Sequence, residues 1–436
     1  MLQRNIYDSL KEWKERKSGK KCLVVRGARQ VGKTYIVERF GENEYDSFIE
    51  INFLRNPGMK DIFSGDLDAN SLIRNFSLYK PDAVFTEGKT LLFIDEIQEC
   101  PEAVTSLKFW AEDGRFDVIA SGSMLGIDYK RPSSYPVGYV DYLDMTALDF
   151  HEFLKAMGVG TDVLSYVKEC FEDKKAIQEP IHKKMMEYLR MYMVLGGMPE
   201  VVNKYLETGS MLEADNVQRR ILTDYRYDIA HYASAEEKIK AESCYLSIPV
   251  QLGKANHKFQ YSVVEKGSSG RKYKSSVEWL CQADLAVKVC NNDPLKAPIS
   301  THIDAGDFRI YCTDIGLYTA MMDYSLKAML LNIKSDISSD TKGGCYEALI
   351  AEMLYKAGHK NLCFTKNQQS TFEIEFVLET EDGLIPVEVK SGKSKSRSLD
   401  NLLKKDEIAF GYKLIDGNAG ISGKKITLPL YMAQWI

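Results

Sequence analysis

The 436-residue chain has nine cysteines and six histidines but no CxxC pair, no HExxH motif and no Cys/His cluster. A structural zinc site is therefore not expected. The cysteine number is odd and the residues are scattered from Cys22 to Cys363. Reduced, buried thiols in a reducing compartment are expected, not a disulfide framework. No run of about 18 apolar residues occurs, so no segment is expected to span a membrane. The N-terminal stretch MLQRNIYDSLKEWKERK is amphipathic and charged, without the apolar region of a signal peptide. The expected location is the cytoplasm. Positive charge is also short: 57 Lys and Arg face 62 Asp and Glu, a net charge of −5. No global field draws nucleic acid, so any such binding needs local patches. Internal repeats and low-complexity tracts are absent too.

What is present is ordinary globular composition, 44% hydrophobic and 27% charged. Disordered, collagen-like and coiled-coil classes are excluded. The length predicts about three domains of roughly 150 residues each. Residues 20–53 read strand, glycine loop, helix, strand, with Leu23-Val24-Val25 before Gly27 and Phe48–Phe53 as the next strand. Leu91-Leu92-Phe93-Ile94 and Val118-Ile119-Ala120 are continuous apolar runs, as in strands buried on both faces. Strands alternating with helices predict a parallel α/β sheet. From His151 to about Ile229 the pattern is helical. Residues 230–300 read as helices and a short basic hairpin, with a loop at Gly267-Ser268-Ser269-Gly270. Strands return after Phe308. Phe372, Ile374, Phe376 and Leu378 alternate with polar residues, Glu381-Asp382-Gly383 signals a turn, and Ile385, Val387 and Val389 alternate again.

Residues 27–34, GARQVGKT, form a complete GxxxxGK[ST] motif. Small residues let backbone N–H groups curl around phosphate oxygens, and the following helix aims its positive end at the same charge. Gly27, Ala28, Arg29, Gln30, Val31, Gly32, Lys33, Thr34 and Tyr35 are the expected nucleotide-binding residues. Lys33 can reach the β- and γ-phosphates, and the Thr34 hydroxyl can ligate Mg²⁺. The run LLFIDE at 91–96 ends a buried strand in two acids. A buried acid needs a partner. Asp95 would hold Mg²⁺ through water, and Glu96 is placed to deprotonate the attacking water. Ser121 and Ser123 end the next strand, where a hydroxyl could bond the γ-phosphate or that water. The Asp-Glu pair implies an extra strand between the glycine-loop strand and the acid strand.

GARQVGKT, LFIDEIQECPEA, SGSML and YPVGYVDYLDMTALDFHEFL, in that order, resemble a prokaryotic family of AAA-type ATPases with a C-terminal domain of uncharacterised function. The blocks Leu195–Glu200, Tyr227–Ala230, Ile248–Leu252, Tyr311–Leu317 and Pro386–Gly392 fit the same family, so the resemblance spans nearly the whole chain. It implies that Lys33 and Thr34 bind ATP and Mg²⁺, that Asp95 is the Walker B acid and Glu96 the catalytic base, and that Ser121 or Ser123 is the sensor. The family usually has Gly-Arg where this chain has Gly138-Tyr139. An arginine there could reach a neighbouring subunit's phosphate, a contribution of about 10³–10⁵ in rate. Its absence leaves Arg131 and Arg115 as substitutes, or a slow ATPase.

A second constellation is Glu347, Glu375, Glu388 and Lys390. Glu347 shares a helical face with Ile350, Ala351 and Leu354 by spacing, so it needs a metal or a cation as partner. In the strand, Glu388 and Lys390 point opposite to Val387 and Val389. Together these residues resemble the PD-(D/E)xK nuclease core, in which two acids hold Mg²⁺ and the lysine stabilises charge at the attacked phosphate. The usual hairpin acid is Asp, and here it is Glu375. Basic residues gather at Arg271-Lys272-Tyr273-Lys274, between a Gly-Ser loop and an apolar helix. They gather again at Lys390, Lys393, Lys395 and Arg397. The first group resembles part of a winged-helix module, and either could track a phosphate backbone.

The expected fold is α/β. An AAA-type P-loop domain (1–155) with helices on both faces of a parallel sheet is followed by a helical lid (156–229), a winged-helix-like module (230–305) and a nuclease-like domain (306–436). The expected function is ATP hydrolysis with Mg²⁺, driving a conformational change coupled to DNA or another nucleic acid. The alternatives are an ATP-gated module that signals to a protein partner, and an ATPase-controlled Mg²⁺-dependent nuclease. Oligomers fit all three readings, and no membrane partner is expected.

Overall fold

The computed structural model describes residues 2–16, 18–122, 136–232, 235–254, 256–332, 338–367, 369, 371–390 and 396–436. The chain divides into two compact units. One comprises Arg4–Ala147 together with Gln282–Asp284, and the other is built mainly from Leu148–Cys281 and Leu285–Ile436.

The first unit is a five-stranded parallel sheet of β1 (Cys22–Arg26), β2 (Ser47–Asn52), β3 (Thr90–Asp95), β4 (Asp117–Gly122) and β5 (Val140–Asp144). Its order is β2-β3-β4-β1-β5. The extra strand implied by the Asp-Glu pair is β4, which lies between β1 and β3. Every residue of β3 is buried, as its unbroken apolar run requires. Helices Lys33–Glu44, Ala69–Tyr79 and Pro101–Asp113 connect the strands. The last begins on a proline that fits the first helical turn and ends at Gly114, whose φ of 68° suits a residue without a side chain. Leu92, Ile94, Val118 and Ala120 form the core with Phe76, Trp110 and Phe116.

The second unit opens on Asp149, whose side chain accepts from the backbone of Glu152 while Glu152 reciprocates at Asp149. This capping box starts helix Phe150–Ala156. Helices continue through Glu179–Leu195, Met211–Tyr232 and Ala235–Leu252 to Gly270–Gln282. Arg271, Lys272 and Lys274 lie in the first turns of that last helix, not in a loop before it. Tyr273 explains the difference: it is buried and stacks on Tyr261, which pulls the basic segment into the helix.

An eight-stranded mixed sheet follows, built from β6 (Ala286–Asn291), β7 (Asp304–Cys312), β8 (Cys363–Lys366), β9 (Glu373–Thr380), β10 (Gly383–Val389), β11 (Gly411–Ile415), β12 (Gly420–Ser422) and β13 (Lys425–Pro429). Its order is β12-β13-β11-β10-β9-β8-β6-β7. The hairpin β6–β7 joins the later strands through parallel pairing of Cys290 with Cys363 and Asn291 with Phe364. Helix Ser339–Lys356 packs against β6, β7 and β10. The cysteines are free thiols, all buried except the half-buried Cys281. Among the described residues, no helix is long and apolar enough to cross a membrane.

Candidate functional site

The glycine loop is fixed by close backbone approach. A Cβ on Gly27 would fall 2.0 Å from the Met145 carbonyl oxygen, so only glycine fits there. Gly32, at φ 96°, turns the chain into helix Lys33–Glu44. Arg4 braces the loop from outside, donating to the Val31 carbonyl at 3.0 Å and to the Thr146 carbonyl at 2.6 Å. Lys33 Nζ donates to the Gly27 and Ala28 carbonyls at 3.0 and 2.8 Å. Burial lowers the Lys33 amine to about 8, while Glu96 and Asp95 pull the other way. Ala28 and Val31 are buried, and Tyr35 is exposed.

Asp95 ends β3 directly opposite Asn52 of β2. Its Oδ2 accepts from Thr34 Oγ1 at 2.9 Å and from Asn52 Nδ2 at 2.7 Å. Its Oδ1 accepts from the Ser121 hydroxyl and from the Glu96 backbone N–H. Asn52 is itself held, since its Oδ1 accepts the backbone N–H groups of Leu54 and Arg55. Glu96 adopts a left-handed backbone, φ 53°, and its Oε2 accepts from Gln98 Nε2. The structure thus gathers Lys33, Thr34, Asp95, Glu96 and Ser121 in one place. Ser123 and Arg131 lie outside the described residues. Arg115 is engaged elsewhere, paired with Asp113 at 2.8 Å and donating to Asn70 at 2.7 Å. Tyr139 lies in the turn before β5, with the Lys108 ammonium 5.3 Å from its ring centroid.

The donor set fits Mg²⁺ with a polyphosphate. Among the described residues, the hydrogen bonds to the Asp95 and Glu96 carboxylates come from neutral hydroxyls and amides. A carboxylate beside a hydroxyl is the sparse protein contribution that Mg²⁺ takes when phosphates supply the other ligands.

The C-terminal cluster differs. Glu347 Oε2 meets Arg309 at 3.0 Å, Tyr311 OH at 3.1 Å and His257 Nδ1 at 2.8 Å. Burial alone would raise its carboxyl, but Arg309, His257 and Tyr311 bring it down to about 2. Arg309 is 1% exposed, pairs also with Glu373, and lies 4.3 Å from the Phe364 ring centroid. Glu375 accepts from Lys390 at 2.7 Å and from the Val389 backbone at 3.1 Å. Against burial, Glu375 and Glu388 hold the Lys390 amine above its usual value. Glu388 lies 3.8 Å from Lys390 through Oε1, and its buried Oε2 has no hydrogen-bond partner among the described residues. The structure brings Glu347, Glu375, Glu388 and Lys390 into one electrostatic neighbourhood. This donor set does not fit Mg²⁺, because Arg309 already occupies Glu347 and Lys390 occupies Glu375. Among the described residues, no group of at least three His, Cys, Asp or Glu side chains could hold a metal ion.

Sequence reasoning missed Asn52, Gln98, His257 and Arg309. Arg309 carried a signal, an arginine between Phe308 and Ile310 in an apolar strand. Gln98 and His257 carried none.

A family model described as an AAA domain matches residues 19–154. Two described as domains of unknown function, DUF8612 and DUF4143, match 186–331 and 342–433. No curated protein matches. Similar solved structures include the Walker-type ATPase PABY2304 of Pyrococcus abyssi, at 14% identity over 74% of this chain and 96% of that one, with a TM-score of 0.41. A RuvB mutant of Thermotoga maritima shares 13% identity over 66% of this chain and 90% of that one, with a TM-score of 0.31. The Orc1 protein of Aeropyrum pernix, solved in complex with DNA, shares 8% over 75% of this chain and 92% of that one, with a TM-score of 0.29. The match to an AAA domain falls within the first unit apart from its last residues, and the chain is α/β overall.

Proposed function

We propose that the chain binds ATP with Mg²⁺ on the loop Gly27–Thr34 and hydrolyses it, using the turnover to drive a change coupled to nucleic acid. In this reading Lys33 leaves its loop carbonyls for the β- and γ-phosphates. Thr34 and Asp95 would hold Mg²⁺, which supplies positive charge at the phosphates when bound. Glu96 takes the proton of the attacking water, and Ser121 orients it. The observation that supports this most is the acid pair Asp95-Glu96, bonded to neutral donors within reach of Lys33's field. The test is steady-state phosphate release. Glu96→Gln is expected to abolish it, by about 10²–10⁴-fold, while ATP binding persists. Unchanged hydrolysis would remove Glu96 as the base.

The nucleic-acid reading draws on Arg271 and Arg397, which are exposed and have no ion-pair partner among the described residues. Lys272 and Lys274 are already paired with Glu265 and Glu278. Lys393 and Lys395 lie outside the described residues. DNA affinity that is lost in Arg271→Ala and falls with salt would support this reading. A second reading, an ATP-gated protein-binding module with little turnover, is favoured by Tyr139 at the place where the resembled family has arginine. The nuclease reading is disfavoured by Arg309. Cleavage of branched or linear DNA with Mg²⁺ or Mn²⁺, lost in Lys390→Ala, would restore it.

A further inference from the structure

The turn after β3 holds a polar side chain that the nucleotide chemistry above does not use. Gln98 is 1% exposed, inside a short helical turn, Ile97–Glu99, anchored by the buried Ile97 and Cys100. Its amide N–H donates to Glu96 Oε2. Its carbonyl oxygen is buried and has no hydrogen-bond partner among the described residues. Only the N–H end can face an ionised carboxylate, because a carbonyl turned that way would repel it. The unpaired carbonyl is the consequence. Burying it is unfavourable, and a methionine would fill similar space without that penalty. Packing therefore does not account for an amide here, whereas the contact with Glu96 does.

From this geometry we infer that Gln98 is the positioning residue of the hydrolytic base, gripping one oxygen of Glu96 so that the other is presented to the attacking water. Glu96 Oε1 accepts no hydrogen bond among the described residues, so it is the lobe left for that proton. Glu96 has a left-handed backbone just past the strand that ends at Asp95, so strand geometry does not set the direction of its side chain and such a grip is useful. A neutral donor suits the task. It orients the carboxylate without the ion pair that would hold it from the water.

This inference rests on the reading of Glu96 as base, and the experiment separates the two. Single-turnover hydrolysis and ATP affinity are measured for the parent, Glu96→Gln, Gln98→Met, Gln98→Asn and the isosteric Gln98→Glu. Gln98→Met is expected to lower the hydrolysis rate about tenfold or more, with ATP affinity held within about twofold. Gln98→Asn, which keeps the donor on a shorter arm, recovers part of the rate. Gln98→Glu also lowers the rate, because the two carboxyls then share one proton and the base is partly neutralised. A readout without nucleotide accompanies these. In protein labelled with ¹⁵N-glutamine, the Gln98 side-chain resonance, identified by its loss in Gln98→Glu, moves on Glu96→Ala. Gln98→Met hydrolysing within about twofold of the parent overturns the inference, as does an unmoved resonance. If Gln98→Met does not fold, Gln98→Leu decides in its place: a parental rate in that variant overturns the proposal. Turnover that survives Glu96→Gln, or is absent in the parent, removes the base reading and this inference with it. Turnover that needs Glu96 but ignores Gln98 removes this inference alone.

Discussion

Asp95 and Glu96 meet hydroxyls and amides, whereas Glu347 and Glu375 meet a guanidinium and an ammonium. Both sets of acids sit in sheet-based sites with buried surroundings, yet their electrostatics are opposite. Neutral donors orient a carboxylate without cancelling its charge, so attraction for an incoming cation survives. Arg309 and Lys390 cancel it and close the account locally. The lesson is that gathered, buried acids do not by themselves make a metal site. What holds them decides whether charge is left over.

Removing the built-in cation breaks this contrast most directly. Arg309→Met leaves the buried Glu347 and the half-buried Glu373 beside fewer cations, and is expected to cost about 3–5 kcal/mol in urea unfolding. A neutral outcome would mean that the guanidinium does not compensate the cluster. Next, Lys33→Ala should weaken ATP binding by about 100- to 1000-fold in calorimetry, leaving urea stability within about 1 kcal/mol.

A pH series sharpens the comparison within a single helix, Ser339–Lys356. Glu347 is depressed from the usual 4.5 to about 2, so its contribution is present above pH 4.5 and lost as pH falls towards 2. Glu352 is raised to about 7 by burial, against the pull of Lys356, so its contribution is full below 4.5 and gone once pH passes 7. Each effect is on the order of 3 kcal/mol. Urea unfolding of Glu347→Gln and Glu352→Gln between pH 3 and 8 should lose these opposite slopes one at a time. The smallest effect belongs to a neutral donor. Asn52→Ala frees the backbone N–H groups of Leu54 and Arg55 and should cost about 1–2 kcal/mol, with ATP affinity changed less than in Lys33→Ala.

Much of the first unit was legible. Leu91–Ile94 announced a strand buried on both faces, and the Asp-Glu pair implied β4 between its neighbours, because both are local patterns that burial writes into the chain. The start of helix Gly270–Gln282 was not legible. Its basic residues read as loop, and only the stacking of Tyr273 on Tyr261 draws them into the helix. The partners of the acids were equally hidden. Asn52 meets Asp95 through the β2–β3 register, and Arg309 meets Glu347 through packing of a helix on β7. Glu347 among apolar residues showed that a partner must exist. Its identity depended on contacts that no spacing rule reaches.

The ladder between β6 and β8 bears on how this protein can be dissected. Cys290–Cys363 and Asn291–Phe364 stitch together strands belonging to the two segments matched by separate families, 186–331 and 342–433. Severing the polypeptide between those segments would bare two raw edges, each a template for stray association. Neither segment is portable, so a transplant or truncation must carry both or expect insoluble fragments.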